Sequence, residues 1–324
     1  MDKTELANLV ARASFIGERV APNFEPNLND DKTIAARLDA WAQAASEKGE
    51  REVLQRLWDW DGITEETARH MVAPVTLRAD APLPDWANLL DDALALAVPA
   101  DAPAFLQADA PFAFQDVILP FVLVLQRELQ TSAGWNRCSL DAQNQIVRNL
   151  LGILASHAVE PLFLEFQAFR NRQPFGALAT VVAKSGKPPG TALYQKFVAQ
   201  QRAGGFRALL IKYPVLARIL ASLTLGRIRV MREFLQELDT DMDAIANAFS
   251  DGTPLGSVKS LALGLSDAHR GGHGVIGINF EAGLHLIYKP KDLAAEAAYN
   301  ALLTWLNARG TPLELRALVV LNRA

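Results

Sequence analysis

Apolar positions along the first half of the chain recur at helical spacing. Ile34, Leu38 and Trp41 form one stripe and Val53, Leu54, Leu57 and Trp58 the next, which predicts two packed helices between Thr33 and about Trp60. WANLLDDALALAV reads as a further helix among connectors marked by Pro74, Pro82, Pro84, Pro99, Pro103 and Pro111. Ile146, Leu150, Leu151 and Leu154 share a face of a long helix from Ser139 to about Phe169, with Ser139 or Asp141 as its cap and Pro161 as the point of a break or bend. KSGKPPGT is a loop, and LYQKFVAQQ after it is helical. Beyond Pro214 the pattern predicts one helix from Val215 to about Leu238. A second begins near Thr240, where Thr240 and Asp243 have the spacing of a capping box.

The period changes after Asp251-Gly252. From Val258 to Tyr288 short runs of Val, Ile and Leu alternate with glycine-bearing turns, which predicts a β-subdomain. DLAAEAAYNALLTWLNARG returns to helix, with Ala298, Leu302, Trp305 and Leu306 as its apolar face and Gly310 as its stop. LELRALVVLNR has the character of another strand. The expected class is therefore α+β and predominantly α-helical, with a helical region over residues 1–251 and a smaller lobe over 252–324.

Composition narrows the partners. With 324 residues, half of them hydrophobic, the chain can bury a large core. A formal net charge of −4 gives no global basic surface, so nucleic acid is not expected as a partner. Cys138 is the single cysteine, which excludes an internal disulfide and any zinc site built from several thiolates. The N-terminus lacks the pattern of a secretory signal, and the longest apolar run, Val117 to Leu125, is too short to span a bilayer. A cytoplasmic location is the expectation.

Polar chemistry concentrates in GLSDAHRGGHG, residues 264–274, followed by VIGINF, EAG and LHLIYKPK. Three of the five histidines, His269, His273 and His285, fall here. Gly271, Gly272 and Gly274 allow backbone N–H groups to approach phosphate oxygens, and Lys289 at a strand end can neutralise phosphate charge. Asp267 and His269 can serve a reaction or simply shape a turn. Glu296, on the helix after Lys289, has the place of a glutamate that pairs with such a lysine, and also that of an ordinary surface residue. Arg218, Arg227, Arg229 and Arg232 make a basic run, and Trp58 and Trp60 flank Asp59; both groups fit structural roles.

Read together, the loop, the strand pair, Tyr288-Lys289-Pro290-Lys291 and the helix ending Trp305-Leu306-Asn307 resemble the N-terminal dehydratase domain of class II (LanM-type) lanthipeptide synthetases. Weaker similarity lies in ARLDAWAQ, PFAFQDVILPFV, FLEF and KYPVLAR. The resemblance implies a helical region joined to a lipid-kinase-like nucleotide lobe. It implies ATP and Mg2+ as cofactors and a ribosomal precursor peptide with its leader as substrate. Phosphorylation of Ser and Thr hydroxyls would be followed by elimination of phosphate to give dehydroamino acids. By position, Lys289 would contact nucleotide, aided by Gly271, Gly272, Gly274 and Glu296, and Asp267 and His269 would be the catalytic pair. His273 stands where the family more often has arginine. The family's later catalytic loop, magnesium ligands and cyclase domain have no counterpart within these residues, so an N-terminal fragment incomplete for catalysis is expected. The alternative is a non-catalytic peptide-binding or scaffold protein of the same fold.

Overall fold

The computed structural model describes residues 1–99, 103, 105–106, 109–173, 191–267, 269 and 271–323. The KSGKPPGT loop lies outside the described residues except for its last threonine. The chain is predominantly helical with two small antiparallel sheets. Packing groups it into two units, residues 1–96 with 166–222 and residues 97–165 with 223–324, a different line from the change of sequence pattern at residue 251. No single helix among the described residues is long and apolar enough to cross a membrane.

In the first unit, α1 (Lys3–Arg12) opens on a capping box in which Asp2 and Glu5 satisfy each other's backbone N–H groups. The helices α2 (Asp31–Ala45), α3 (Arg51–Asp61) and α4 (Glu65–Val72) bury Ile34, Leu38, Leu54 and Trp58 in one cluster. Trp41 meets Trp58 edge to face at 5.5 Å, while Trp60, two residues on, points to solvent and is 90% exposed. Two strands not foreseen from the pattern, β1 (Phe24–Pro26) and β2 (Val75–Leu77), pair antiparallel; three residues each are too few to show a period of two. The unit also holds α5 (Asp85–Ala95) and the start of the arginine run. Arg218 makes a two-pronged contact with Glu18 at 2.5 and 2.6 Å and lies over the rings of Phe15 and Trp86. That guanidinium holds the Glu18 carboxyl below the ordinary carboxylate range.

The second unit is built on α6 (Gln115–Gln130), whose apolar run from Val117 to Leu125 is buried almost throughout. The next helix, α7 (Leu140–Asn171), starts where Ser139 Oγ accepts the Ala142 N–H at 3.2 Å. It continues through Pro161, which gives up one backbone hydrogen bond without ending it. Cys138 is buried, and burial pushes its thiol up to about 12.

After α8 (Thr191–Gln200), a turn with Gly204 at φ +106° and α9 (Phe206–Lys212), the chain enters one helix where two were expected. The helix α10 (Pro214–Phe249) runs 36 residues without a break at Thr240. The reason is local. Thr240 Oγ1 donates back to the Gln236 carbonyl at 2.8 Å instead of capping a new start, and Leu238 and Ile245 carry the buried stripe across. The helix ends at Asp251 and Gly252, both at positive φ.

The expected β-subdomain is a three-stranded antiparallel sheet in the order β3 (Val258–Ala262), β4 (Ile276–Phe280), β5 (His285–Tyr288). The outer edge of β3 is covered: Ser139 N–H reaches the Val258 carbonyl and Leu261 N–H reaches Gln145 Oε1. The last helix is α11 (Ala294–Asn307). Residues 313–323, read as a strand, join no sheet in the structure and follow α11 as an irregular segment.

Candidate functional site

The sheet brings the sequence motif to one end. The loop 263–275 joins the end of β3 to the start of β4, and Ile276 pairs with Tyr288. Lys289 continues that register by one residue, so it and the loop lie at the same end of the sheet. Gly277 explains how tightly the strands close there. A side chain in its place would come within 3.2 Å of Ala262 Cβ.

Within the loop, His269 and His273 exchange both backbone hydrogen bonds at 2.8 Å, and Gly272 N–H also reaches the His269 carbonyl at 3.1 Å. Gly271 and Gly272 close this turn at φ +82° and +114°, where a residue with a Cβ would be strained. Gly274 does not need positive φ, and a Cβ there would make only an ordinary contact with Ser266. Among the described residues, the N–H groups of Gly271 and Gly274 take no hydrogen bond, and the space beside Gly271 is open. Ser266, not singled out from sequence, ties the two ends together. Its hydroxyl accepts the Val275 N–H at 3.0 Å and donates to the Asp267 carbonyl at 3.1 Å. Asp267 and His269 are both exposed.

The helix α10 backs this region. Gly226 faces the Gly271 carbonyl so closely that an added Cβ would lie 3.3 Å from it. His273 Nε2 is 3.1 Å from Glu233 Oε2. One helical turn on, Glu237 Oε2 accepts the Tyr288 hydroxyl at 2.6 Å, and the Tyr288 ring packs edge to face on Phe234 at 5.1 Å. Burial raises the Tyr288 pKa, and the Glu237 hydrogen bond and the charges of Glu237 and Glu233 raise it further, so the phenol stays protonated as a donor. The four-residue spacing of Glu233 and Glu237 was visible in sequence but carried no meaning until the partners were known.

Lys289 is exposed and forms no ion pair among the described residues. Glu296 does not take it. Its carboxylate pairs with Lys291, whose hydrogen bond is the main cause of a Glu296 pKa below the ordinary range; the more distant Lys289 charge contributes least. Beside Lys289 an open groove of about 690 Å³ runs along β5, with Phe234, Leu238, Ile278 and Leu286 as its apolar lining and Glu237, Asp241, Lys291 and Arg323 among its polar residues.

This arrangement fits the phosphate end of a nucleotide: two backbone N–H groups in a glycine loop that are unpaired among the described residues, open space beside Gly271, and a lysine at the same end of the sheet. It does not fit a metal in the same way. Among the described residues no three His, Cys, Asp or Glu side chains group closely enough to hold an ion.

Residues 213–324, about the last third of the chain, match a family model described as Domain of unknown function (DUF4135). The matched span contains α10, the glycine loop, the three-stranded sheet, Lys289 and α11. No match to the chain is found among curated proteins.

Proposed function

We propose that residues 213–324 are the nucleotide-handling part of a peptide dehydratase of the class II lanthipeptide synthetase type, with a lipid-kinase-like lobe. The supporting observation is that one matched domain contains both the glycine turn and Lys289, on one end of one sheet. In this reading ATP supplies the phosphoryl group that turns a Ser or Thr hydroxyl of a precursor peptide into a leaving group. Lys289 steadies the phosphate charge, and the N–H groups of Gly271 and Gly274 receive phosphate oxygens. Asp267 and His269 stand on the exposed loop where a proton must be moved or a phosphate held. Phosphorylation forms the new O–P bond as the bond from the γ-phosphorus to the β,γ-bridging oxygen breaks, so that ADP leaves with that electron pair and the hydroxyl proton passes to a base. Elimination removes the α-proton, leaves a carbon–carbon double bond, and expels phosphate with the bonding electrons. In this reading the reaction takes place in the cytoplasm.

Titration of the chain with ATP by calorimetry tests this reading. Binding is expected in the wild type and, in Lys289→Ala, weakened by at least about tenfold, the equivalent of one charge-assisted contact. Wild-type affinity retained in the variant rejects the role of Lys289. A second reading, a scaffold that binds peptide without nucleotide, is favoured by the open apolar groove along β5. Binding of a leader peptide in the absence of any ATP binding selects it.

A further inference from the structure

Two carboxylates on α10 link the two halves of the candidate site, which sequence alone assigns to separate motifs. Glu233 and Glu237 are four residues apart and therefore lie on one helical face. Glu233 bonds His273, the residue that closes the glycine turn, and Glu237 bonds Tyr288, the residue before Lys289. Between them Phe234 packs against the Tyr288 ring. We infer that Glu233 and Glu237 are positioning residues that hold the glycine loop and Lys289 in fixed register, so that both meet the phosphates of one nucleotide; the inference rests on the nucleotide reading above.

Strand pairing alone does not do this. Tyr288 is fixed against Ile276, but the loop before Ile276 contains Gly264, Gly271 and Gly272, all at positive φ and each with wide backbone freedom once unfastened. Ordering such a segment costs conformational entropy at every residue fixed, and a loop fastened beforehand does not take that cost from the binding energy of its ligand. The helix supplies the fastening because it is rigid and continuous through both glutamates. Both carboxylates are exposed, so replacing either leaves no buried charge. Removing the Tyr288 hydroxyl leaves its ring packed on Phe234. The contacts can thus be cut one at a time without dismantling the core.

The test uses Glu233→Ala, Glu237→Ala and Tyr288→Phe in the full chain, with Glu233→Gln and Glu237→Gln as variants that keep a hydrogen-bonding oxygen in place. Amide hydrogen exchange is read over residues 269–275 and 285–291 without ligand, and ATP affinity is read separately. Glu233→Ala is expected to speed exchange in the first segment, and Glu237→Ala and Tyr288→Phe in the second, each by about fivefold, the scale of one lost hydrogen bond. ATP affinity should fall by a similar factor in those three variants, and both glutamine variants should return to within about twofold of wild type. Unchanged exchange in the alanine and phenylalanine variants overturns the inference. So does faster exchange with unchanged ATP affinity, which reduces the contacts to structural ones. A wild-type chain that binds no ATP rejects the nucleotide reading instead, and exchange alone then decides whether the two carboxylates set the register.

Discussion

Along α6, Val117, Ile118, Leu119, Phe121, Val122, Val124 and Leu125 are all buried, whereas α11, which carries leucines, a tyrosine and a tryptophan, has no buried residue at all. Both helices belong to the second unit; α11 was legible from its spacing, whereas α6 stood out in the sequence only as an apolar run. Local sequence decides that a helix forms and which stripe is apolar, but burial is decided by what the rest of the molecule places against that stripe. Around α6 that role falls to packed side chains. Around α11 it falls to polar ties: Asn300 Oδ1 accepts the Leu318 N–H, Asn307 bonds both the N–H and the carbonyl of Leu315, and Asn322 Oδ1 accepts the Leu293 N–H. These fix the segment 315–322 beside the helix while leaving Tyr299, Leu302 and Trp305 about half exposed or more.

The largest effect that can break this contrast lies in α6. Phe121→Ala removes a fully buried ring and is expected to cost about 3–5 kcal/mol, read from the denaturant midpoint of the second unit's unfolding. A loss below about 1 kcal/mol would mean that the site collapses around the smaller side chain and that α6 is not the packed centre described.

Next in size is a residue that sits in the wrong category for its surroundings. On α10 the Arg227 side chain places Nε and Nη2 out of reach of solvent with no hydrogen-bond partner among the described residues, and burial lowers its pKa to about 10. Arg227→Met keeps the length and removes the two shielded, unpartnered N–H groups. It is expected to stabilise the fold by on the order of 1–3 kcal/mol at neutral pH. The sign follows from proton binding. Between the lowered folded value and the ordinary arginine value the unfolded chain holds more protons, so wild-type stability rises as pH passes above about 10. The variant should lack that rise. Equal stability of the two proteins at pH 7 would show that a partner reaches the guanidinium in solution.

How much of this was readable follows the same division. The β-subdomain, the helix after it and the glycine turn were legible because period and glycine placement are local properties. The unbroken α10 was not, because Thr240 fits a cap and an interior back-bond equally well, and the neighbouring buried stripe decides between them. The arginine run did not prove to be one surface: Arg218 clamps Glu18 in the first unit, Arg232 meets Glu128 at 3.0 Å, and Arg227 is half-buried with Nε and Nη2 shielded from solvent. At the candidate site, Asp267, His269 and Lys289 were named from sequence, but the pairing of Glu296 with Lys291 and the two contacts from α10 to His273 and Tyr288 depend on tertiary geometry. Separations of 40 and 51 residues carry no local signal.

The smallest effect on stability sharpens the contrast from the other side. Leu302→Ser and Trp305→Ser alter the half-exposed face of α11, where Trp305 is touched by the Arg309 guanidinium, 3.5 Å from its ring centre. Each substitution should change the folding free energy by no more than about 0.5 kcal/mol, roughly a sixth to a tenth of the cost expected at Phe121. An exposed apolar stripe still raises the free energy of the chain in water, and association relieves it. Sedimentation at increasing concentration should therefore show the wild type self-associating more than Leu302→Ser. If Leu302→Ser instead destabilises the fold by several kcal/mol, the face is covered in solution, and the difference between α6 and α11 is one of partner rather than of burial.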